Sequence, residues 1–222
     1  AGKLLGLSFP LEAFYAFAAT DAVMSRAITA FPGLRPTLTA DPFEMLVGSI
    51  TAQQINLPFA FATRRRLVQA FGETIERQGD KYHAFPTADA LAAADQGMLR
   101  EMQFSNRKAE YIVNLARSVC DGEIDLDKLA YENDETVIER LTALTGIGRW
   151  TADWFMARHL GRGHAAAVGD LAVRKAMKRF YFREEETPNE SDLRVLAARW
   201  GDYANLAVHY LLSLHASEKQ RP

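Results

Sequence analysis

Apolar residues recur along almost the whole of this chain at intervals of three and four, and nowhere in a sustained alternation of two. Phe43, Leu46, Val47 and Ile50 form one such set behind Asp41-Pro42; Phe59, Leu67, Val68 and Phe71 form another that ends at Gly72. Spacing of three and four places apolar side chains on one face of a helix, whereas a half-buried strand alternates. An Asp-Pro start and a Gly stop frame a helix in the same sense. Similar runs cover 11–31, 88–96, 106–120, 135–144, 149–160, 170–181, 191–200 and 203–216, and no Asn-Gly or Asp-Gly turn joins two alternating runs. The expectation is an all-α fold. Pro32-Gly33, Pro36, Pro58, Gly79, Pro86, Gly161-Arg162-Gly163 and Pro188 punctuate it without forming a long linker, and residues 216–222 read as a short tail.

Composition narrows the chemistry. The 222 residues are 48% hydrophobic and 24% charged, enough to bury a core. No window approaches the ~18 uninterrupted apolar residues of a membrane span, and AGKLLGLSFPLEAFYAFAATD lacks the basic, apolar, small order of a signal peptide. A cytoplasmic protein with no membrane association is expected. One cysteine, Cys120, supplies neither an internal disulfide, a structural zinc site nor the thiolates of an iron–sulfur cluster. The five histidines show no ligand spacing with carboxylates, so no catalytic metal is expected, and no P-loop, nucleophile elbow or dinucleotide fingerprint is present. The net charge of −2 hides an uneven distribution. Residues 121–140 set eight acids against Lys128 and Arg140, whereas 141–180 set seven Arg and Lys residues against Asp153 and Asp170 alone. The second stretch suits an anion.

That basic stretch opens with LTALTGIGRWTADWF, residues 141–155. A helix ending near Leu144, a tight Thr145-Gly146-Ile147-Gly148 turn and a helix starting at Arg149 make a helix–hairpin–helix. Its glycines allow a sharp turn and close approach, and the second helix presents amides and the positive end of its dipole. A backbone phosphate is a natural ligand there, held without reading bases; an ordinary αα-turn is the plainer reading of Gly-x-Gly alone. Asp170 follows a Gly-rich connection and begins a basic helix. It reads as an N-cap, and also as a carboxylate able to stabilise an oxocarbenium-like sugar and orient attacking water. Trp150 and Trp154, four apart, share one helix face, and their rings suit a cationic purine while Phe155 and Met156 fill the core. Arg64-Arg65-Arg66 reads first as a solvated face.

The stretch from Leu144 to Ala176 resembles the helix–hairpin–helix superfamily of DNA glycosylases, and within it the DNA-3-methyladenine glycosylase II group of AlkA type. The residues that carry the likeness are Gly146-Ile-Gly-Arg-Trp-Thr-Ala152, the spacing from Trp150 to Asp170, and Gly169-Asp170-Leu171. Phe31-Pro-Gly-Leu-Arg-Pro36, Asp41-Pro-Phe-Glu44, Ile50-Thr-Ala-Gln-Gln-Ile55 and Ser105-Asn-Arg-Lys-Ala-Glu-Tyr111 extend it over about 21–215. The resemblance implies a single domain over 1–222, with one helical lobe of about 42–162, another of 1–41 with 163–222, and an active-site cleft between them. It implies a chain without the N-terminal β-lobe of some members.

The same resemblance implies base-excision repair: a monofunctional glycosylase that flips alkylated bases such as 3-methyladenine and 7-methylguanine out of duplex DNA and hydrolyses the N-glycosidic bond. Asp170 becomes the catalytic carboxylate, Trp150 and Trp154 the base pocket, Gln53 and Gln54 the wedge, and Gly146, Gly148, Arg149 and Thr151 the phosphate site. Trp150 stands where lyase-type relatives carry a Schiff-base lysine, so no lyase activity is expected. No cofactor is implied beyond Na⁺ or K⁺ on the carbonyls of Thr142, Leu144 and Ile147. A monomer acting on alkylated duplex DNA, nucleoid-associated if bacterial, completes the expectation. The competing reading is a non-catalytic helix–hairpin–helix module that binds distorted DNA; Asp170 argues against it, because a carboxylate facing phosphates costs energy. Two departures stand out: Ala166-Ala-Val168 replaces a more usual Phe-Pro-x before Gly-Asp, and Trp200-Gly-Asp-Tyr-Ala-Asn205 replaces a common Trp-x-Pro-Trp/Tyr-Arg-Ser/Thr.

Overall fold

The computed structural model describes residues 1–219, which form two compact units. One comprises residues 1–40 with 153–219, the other residues 41–152.

The unit of residues 41–152 begins with α1 (Pro42–Ala52), capped by Asp41, whose carboxylate accepts from the Glu44 amide at 2.6 Å with Pro42 behind it. Asn56 caps α2 (Leu57–Phe71) in the same way, at 2.9 Å from the Phe59 amide. Then follow α3 (Ala88–Ala92), α4 (Gln96–Glu101), α5 (Asn106–Cys120), a 3-10 turn at Lys128–Tyr131 and α6 (Asp134–Thr142). In α5, Ala109, Ile112, Val113 and Ala116 are buried at helical spacing, and the helix packs against α1, α3 and α4. Leu46, Ile50, Leu67, Leu99 and Leu141 complete that core.

Between α2 and α3 the all-helical pattern is interrupted by a hairpin. β1 (Thr74–Arg77) pairs antiparallel with β2 (Asp80–His83), Thr74 opposite His83 and Arg77 opposite Asp80. Gln78 and Gly79 at its tip both have positive φ, 54° and 87°, the arrangement of a type I′ turn. The fold stays essentially helical, with this small ribbon added.

In the other unit the expected run 11–31 is two helices, α7 (Leu11–Ala18) and α8 (Ala22–Ala30), parted at Asp21, which caps α8 through the Val23 and Met24 amides. The unit continues with α10 (Leu171–Tyr181), α11 (Glu190–Ala198), a 3-10 turn at Gly201–Tyr203 and α12 (Ala204–Lys219). Phe14, Met24, Val173, Met177, Trp200 and Tyr210 lie at its centre. The intervening α9 (Arg149–Phe155) carries the chain across the boundary and runs on into a π turn, Met156–Leu160, closed by Gly161 at φ 69°. Part of the expected tail belongs to α12; residues 220–222 of it lie outside the described residues.

Candidate active site

Asp170 is the N-cap of α10, in extended backbone at φ −74° and ψ 135°. Its Oδ1 accepts from the amides of Ala172 (2.8 Å) and Val173 (3.2 Å), which satisfies two donors that a helix start leaves open. Its Oδ2 accepts from the indole Nε1–H of Trp154 at 3.3 Å. The half-buried carboxylate is thus aimed by three donors of its own unit. Capping and orienting are one arrangement here, so the cap leaves a chemical role for the carboxylate open.

Trp154 is itself held. The Arg158 guanidinium lies over its ring, 5.0 Å from the centroid. Arg158 Nη1 donates to Asn205 Oδ1 at 2.5 Å, and Nη2 lies 3.5 Å from His209 Nδ1. Burial lowers the Arg158 pKa to about 10, which leaves it a cation at neutral pH. Burial first, then the Arg158 charge, push His209 down to about 4, so its ring is neutral beside that cation. Asn205 is fully buried and donates to the carbonyls of Ala157 (2.8 Å) and Arg162 (3.0 Å).

In the unit of residues 41–152 the hairpin turns at Gly146, where φ is 88°. A Cβ there would stand 2.2 Å from Tyr111 Cγ, so only glycine fits between that ring and the turn. Gly148 differs: a Cβ would meet nothing within 4 Å, and Gly148 and Arg149 are exposed. The Gln53 amide Nε2 donates to the Gly146 carbonyl at 2.9 Å, strapping the end of α1 to the hairpin. Lys108 Nζ donates to the Thr51 carbonyl at 2.8 Å and fastens the same end to α5; burial lowers the Lys108 pKa. Gln54 follows in a left-handed conformation, φ 55°, and is exposed at the rim of a groove of about 400 Å³ floored by Phe59, Phe104 and Lys108.

Residues 47–200 match the HhH-GPD superfamily base excision DNA repair protein family. The chain belongs to this superfamily. It is 30% identical over 201 residues to a DNA-3-methyladenine glycosylase of Bacillus subtilis (strain 168), a match that covers 90% of this chain and 66% of that protein. A solved 3-methyladenine DNA-glycosylase from Archaeoglobus fulgidus superposes with a TM-score of 0.86 at 33% identity, over 100% of this chain and 74% of that one. A structure of MBOgg1 in complex with a low-affinity DNA ligand superposes with a TM-score of 0.90 at 25% identity, over 99% and 74%. The chain thus spans about two thirds of the curated B. subtilis relative.

Against the HhH-GPD frame, the residues singled out in the sequence divide. Asp170 and Trp154 meet directly, and Gly146, Gly148 and Arg149 share the hairpin, with Trp150 half-buried on α9 one turn before Trp154. Three expectations change. Thr151 is buried and its amide donates to the Gly148 carbonyl at 3.0 Å, so it belongs to the helix's own bonding rather than to a phosphate site. Gln53 spends its amide on the hairpin, which leaves Gln54 alone as the exposed residue of the pair. Trp154 has one ring face covered by Arg158, so it is not an open platform for a base. Within the arginine run, Arg64 pairs with Glu44 at 2.7 Å and Arg66 donates to Gln103 Oε1 at 2.6 Å, while Arg65 is exposed. Sequence reasoning gave Arg158 and Asn205 no role in the site. The four-residue step from Trp154 to Arg158 is a signal for the first; Asn205 stands out in the sequence only as a departure from the family pattern, and the 47 residues that separate it from Arg158 hide the pairing.

Proposed function

We propose that this chain is a monofunctional DNA glycosylase, hydrolysing the N-glycosidic bond of alkylated bases of the 3-methyladenine and 7-methylguanine class flipped from duplex DNA. The observation that carries the reading is the Asp170 carboxylate, fixed by two helix amides and an indole N–H. In the reaction the C1′–N bond breaks and its electron pair leaves on the base. Water then bonds through oxygen to C1′ and gives up its proton to the carboxylate. Asp170 faces the positive charge that develops on the sugar between those events. A base alkylated at a ring nitrogen is already cationic and leaves without an acid, which suits a site that offers aromatic surface and one carboxylate.

Support for the DNA partner comes from the names of the similar proteins and from the hairpin, where Gly148 and Arg149 stand exposed at the start of α9 for a phosphate. Gln54 is the residue to enter the gap left by the flipped base. Trp150 cannot form an imine, so strand cleavage by β-elimination has no amine to start it there. The hairpin's oxygens fit a monovalent cation: Thr142 is the last residue of α6, whose end carbonyls lack helical donors, and the Leu144 carbonyl accepts only a 3.1 Å bond from the Ile147 amide. Na⁺ or K⁺ held by Thr142, Leu144 and Ile147 would offset phosphate charge. The protein would act as a monomer in the cytoplasm.

The test is release of free bases from methylated duplex DNA, resolved by mass. Native protein should liberate 3-methyladenine and 7-methylguanine and Asp170→Asn should not. Release by both proteins, or by neither, sinks the assignment.

A further inference from the structure

We infer that Arg158 is a positioning residue for Asp170: clamped by Asn205, its guanidinium holds the Trp154 indole so that Nε1–H points at the carboxylate. The inference deepens the reading of Asp170 as the carboxylate that acts on the sugar, and rests on it.

Three observations lead there. First, Arg158 is a half-buried cation whose side-chain partners among the described residues are all neutral: the Asn205 carbonyl oxygen, the His209 ring and the Trp154 face. A withdrawn charge without a carboxylate is costly to keep, and packing alone would be served by an apolar side chain. Second, every joint in the chain from Asn205 to Asp170 is fixed. The Arg158 carbonyl accepts from the Thr39 amide at 2.8 Å, and Asn205 is tied to Ala157, Arg162 and, through its own amide, to the Gly163 carbonyl at 2.7 Å. Third, the chain ends on the carboxylate. An indole has one donor, and Trp154 spends it on Asp170 Oδ2.

The physics gives Arg158 two effects. A cation over the ring face favours one orientation of the indole, and the N–H lies in the plane of that ring, so fixing the ring fixes the donor. The positive charge also draws electron density from the indole, which makes its N–H a better donor to an anion. Neither effect requires Arg158 to touch DNA or a base.

A double-mutant cycle tests this. Single-turnover excision of 7-methylguanine is measured for native protein, Arg158→Met, Trp154→Phe and the double variant, beside binding to an abasic-site analogue and thermal melting. Arg158→Met should slow excision about tenfold, the scale of one well-placed hydrogen bond, with analogue binding within about twofold. In the Trp154→Phe background the same change should cost less than about twofold. Arg158→Lys, which keeps the charge without the planar fork, should recover part of the loss. Independent, multiplying effects of the two substitutions in an active enzyme overturn the inference. A readout without activity runs beside it: the indole N–H proton signal that disappears in Trp154→Phe should move in Asp170→Asn and again in Arg158→Met. If native protein releases no base, the proposed function fails, while this signal still decides the arrangement; an unmoved signal in folded Arg158→Met overturns it.

Discussion

Two glycines two residues apart in the hairpin should respond to the same substitution in opposite ways. At Gly146 the backbone sits at φ 88°, and forcing an L side chain into that region costs about 1–2 kcal/mol. The added Cβ would also stand 2.2, 2.3 and 2.7 Å from ring carbons of Tyr111, an overlap that moves the ring or the turn and costs about 1–3 kcal/mol. Gly146→Ala should therefore lose roughly 2–5 kcal/mol, or about 5–15 °C of melting temperature for a chain of this size. At Gly148 the backbone lies outside the left-handed region and nothing is within 4 Å of the new Cβ. Gly148→Ala should leave stability within about 1 kcal/mol of native, since a compatible Gly-to-Ala change mainly restricts the unfolded chain. The new methyl group would instead stand where the proposed phosphate contact forms, and on that proposal binding should weaken for every duplex sequence alike. Melting curves and fluorescence anisotropy at one fixed salt concentration separate the two. A stable Gly146→Ala would refute the packing argument, and native binding by a folded Gly148→Ala would remove the hairpin as anchor.

Asp170→Asn should keep the α10 cap, because Asn caps as well as Asp, but lose the Trp154 bond, because an amide NH2 cannot accept; it should hold an abasic analogue within about tenfold, roughly 1.4 kcal/mol. Product DNA should stay unbroken until heated or treated with alkali, and borohydride should trap no covalent adduct; a trapped complex would show an amine doing what Trp150 cannot. His209, held at about 4 against its ordinary 6.5, makes the unfolded chain bind a proton that the folded chain refuses. That penalty is absent above about pH 6.5 and grows as pH falls towards 4, so His209→Gln should flatten the melting temperature across that window. Trp150→Ala should narrow the preference for 7-methylguanine over a neutral lesion such as hypoxanthine, measured as single-turnover rates; equal slowing of both would show that Trp150 only fills space.

The helices were legible because burial imprints a period on sequence, and α5, with Ala109, Ile112, Val113 and Ala116 inward, shows why. The β1–β2 hairpin was not, for the same reason. Of its eight strand residues only His83 is even half-buried, so the alternation that marks a strand has nothing to alternate about, and Gln78-Gly79 is not the usual pair for its turn. The division between the units has no mark in the sequence because it falls inside α9, where an unbroken helix hides it. Asp170 was legible because a cap has a local signature. The Gln53 strap was not legible because one amide can serve a wedge, a cap or a strap, and only the 93-residue reach to Gly146 reveals this one.

The tryptophan pair shows how far a residue pattern goes before geometry must take over. Two indoles four apart promise two π-faces, each worth on the order of 2 kcal/mol to a desolvated cationic base. Around Trp154 that sum falls to about zero. Arg158 already lies 5.0 Å from its centroid, and a base stacked about 3.5 Å from the other face would put two positive charges roughly 8 Å apart. At an effective dielectric constant near 20 their repulsion is about 2 kcal/mol, which offsets what the ring could offer. In the proposed reaction Trp154 would therefore contribute nothing net to choosing a charged lesion over a neutral one, and its weight would fall on the hydrogen bond to Asp170. Preference for cationic bases would then rest on Trp150 and on the chemistry of the leaving group. On that proposal the two tryptophans, alike in the sequence, would divide recognition from positioning because Arg158 stands behind one of them.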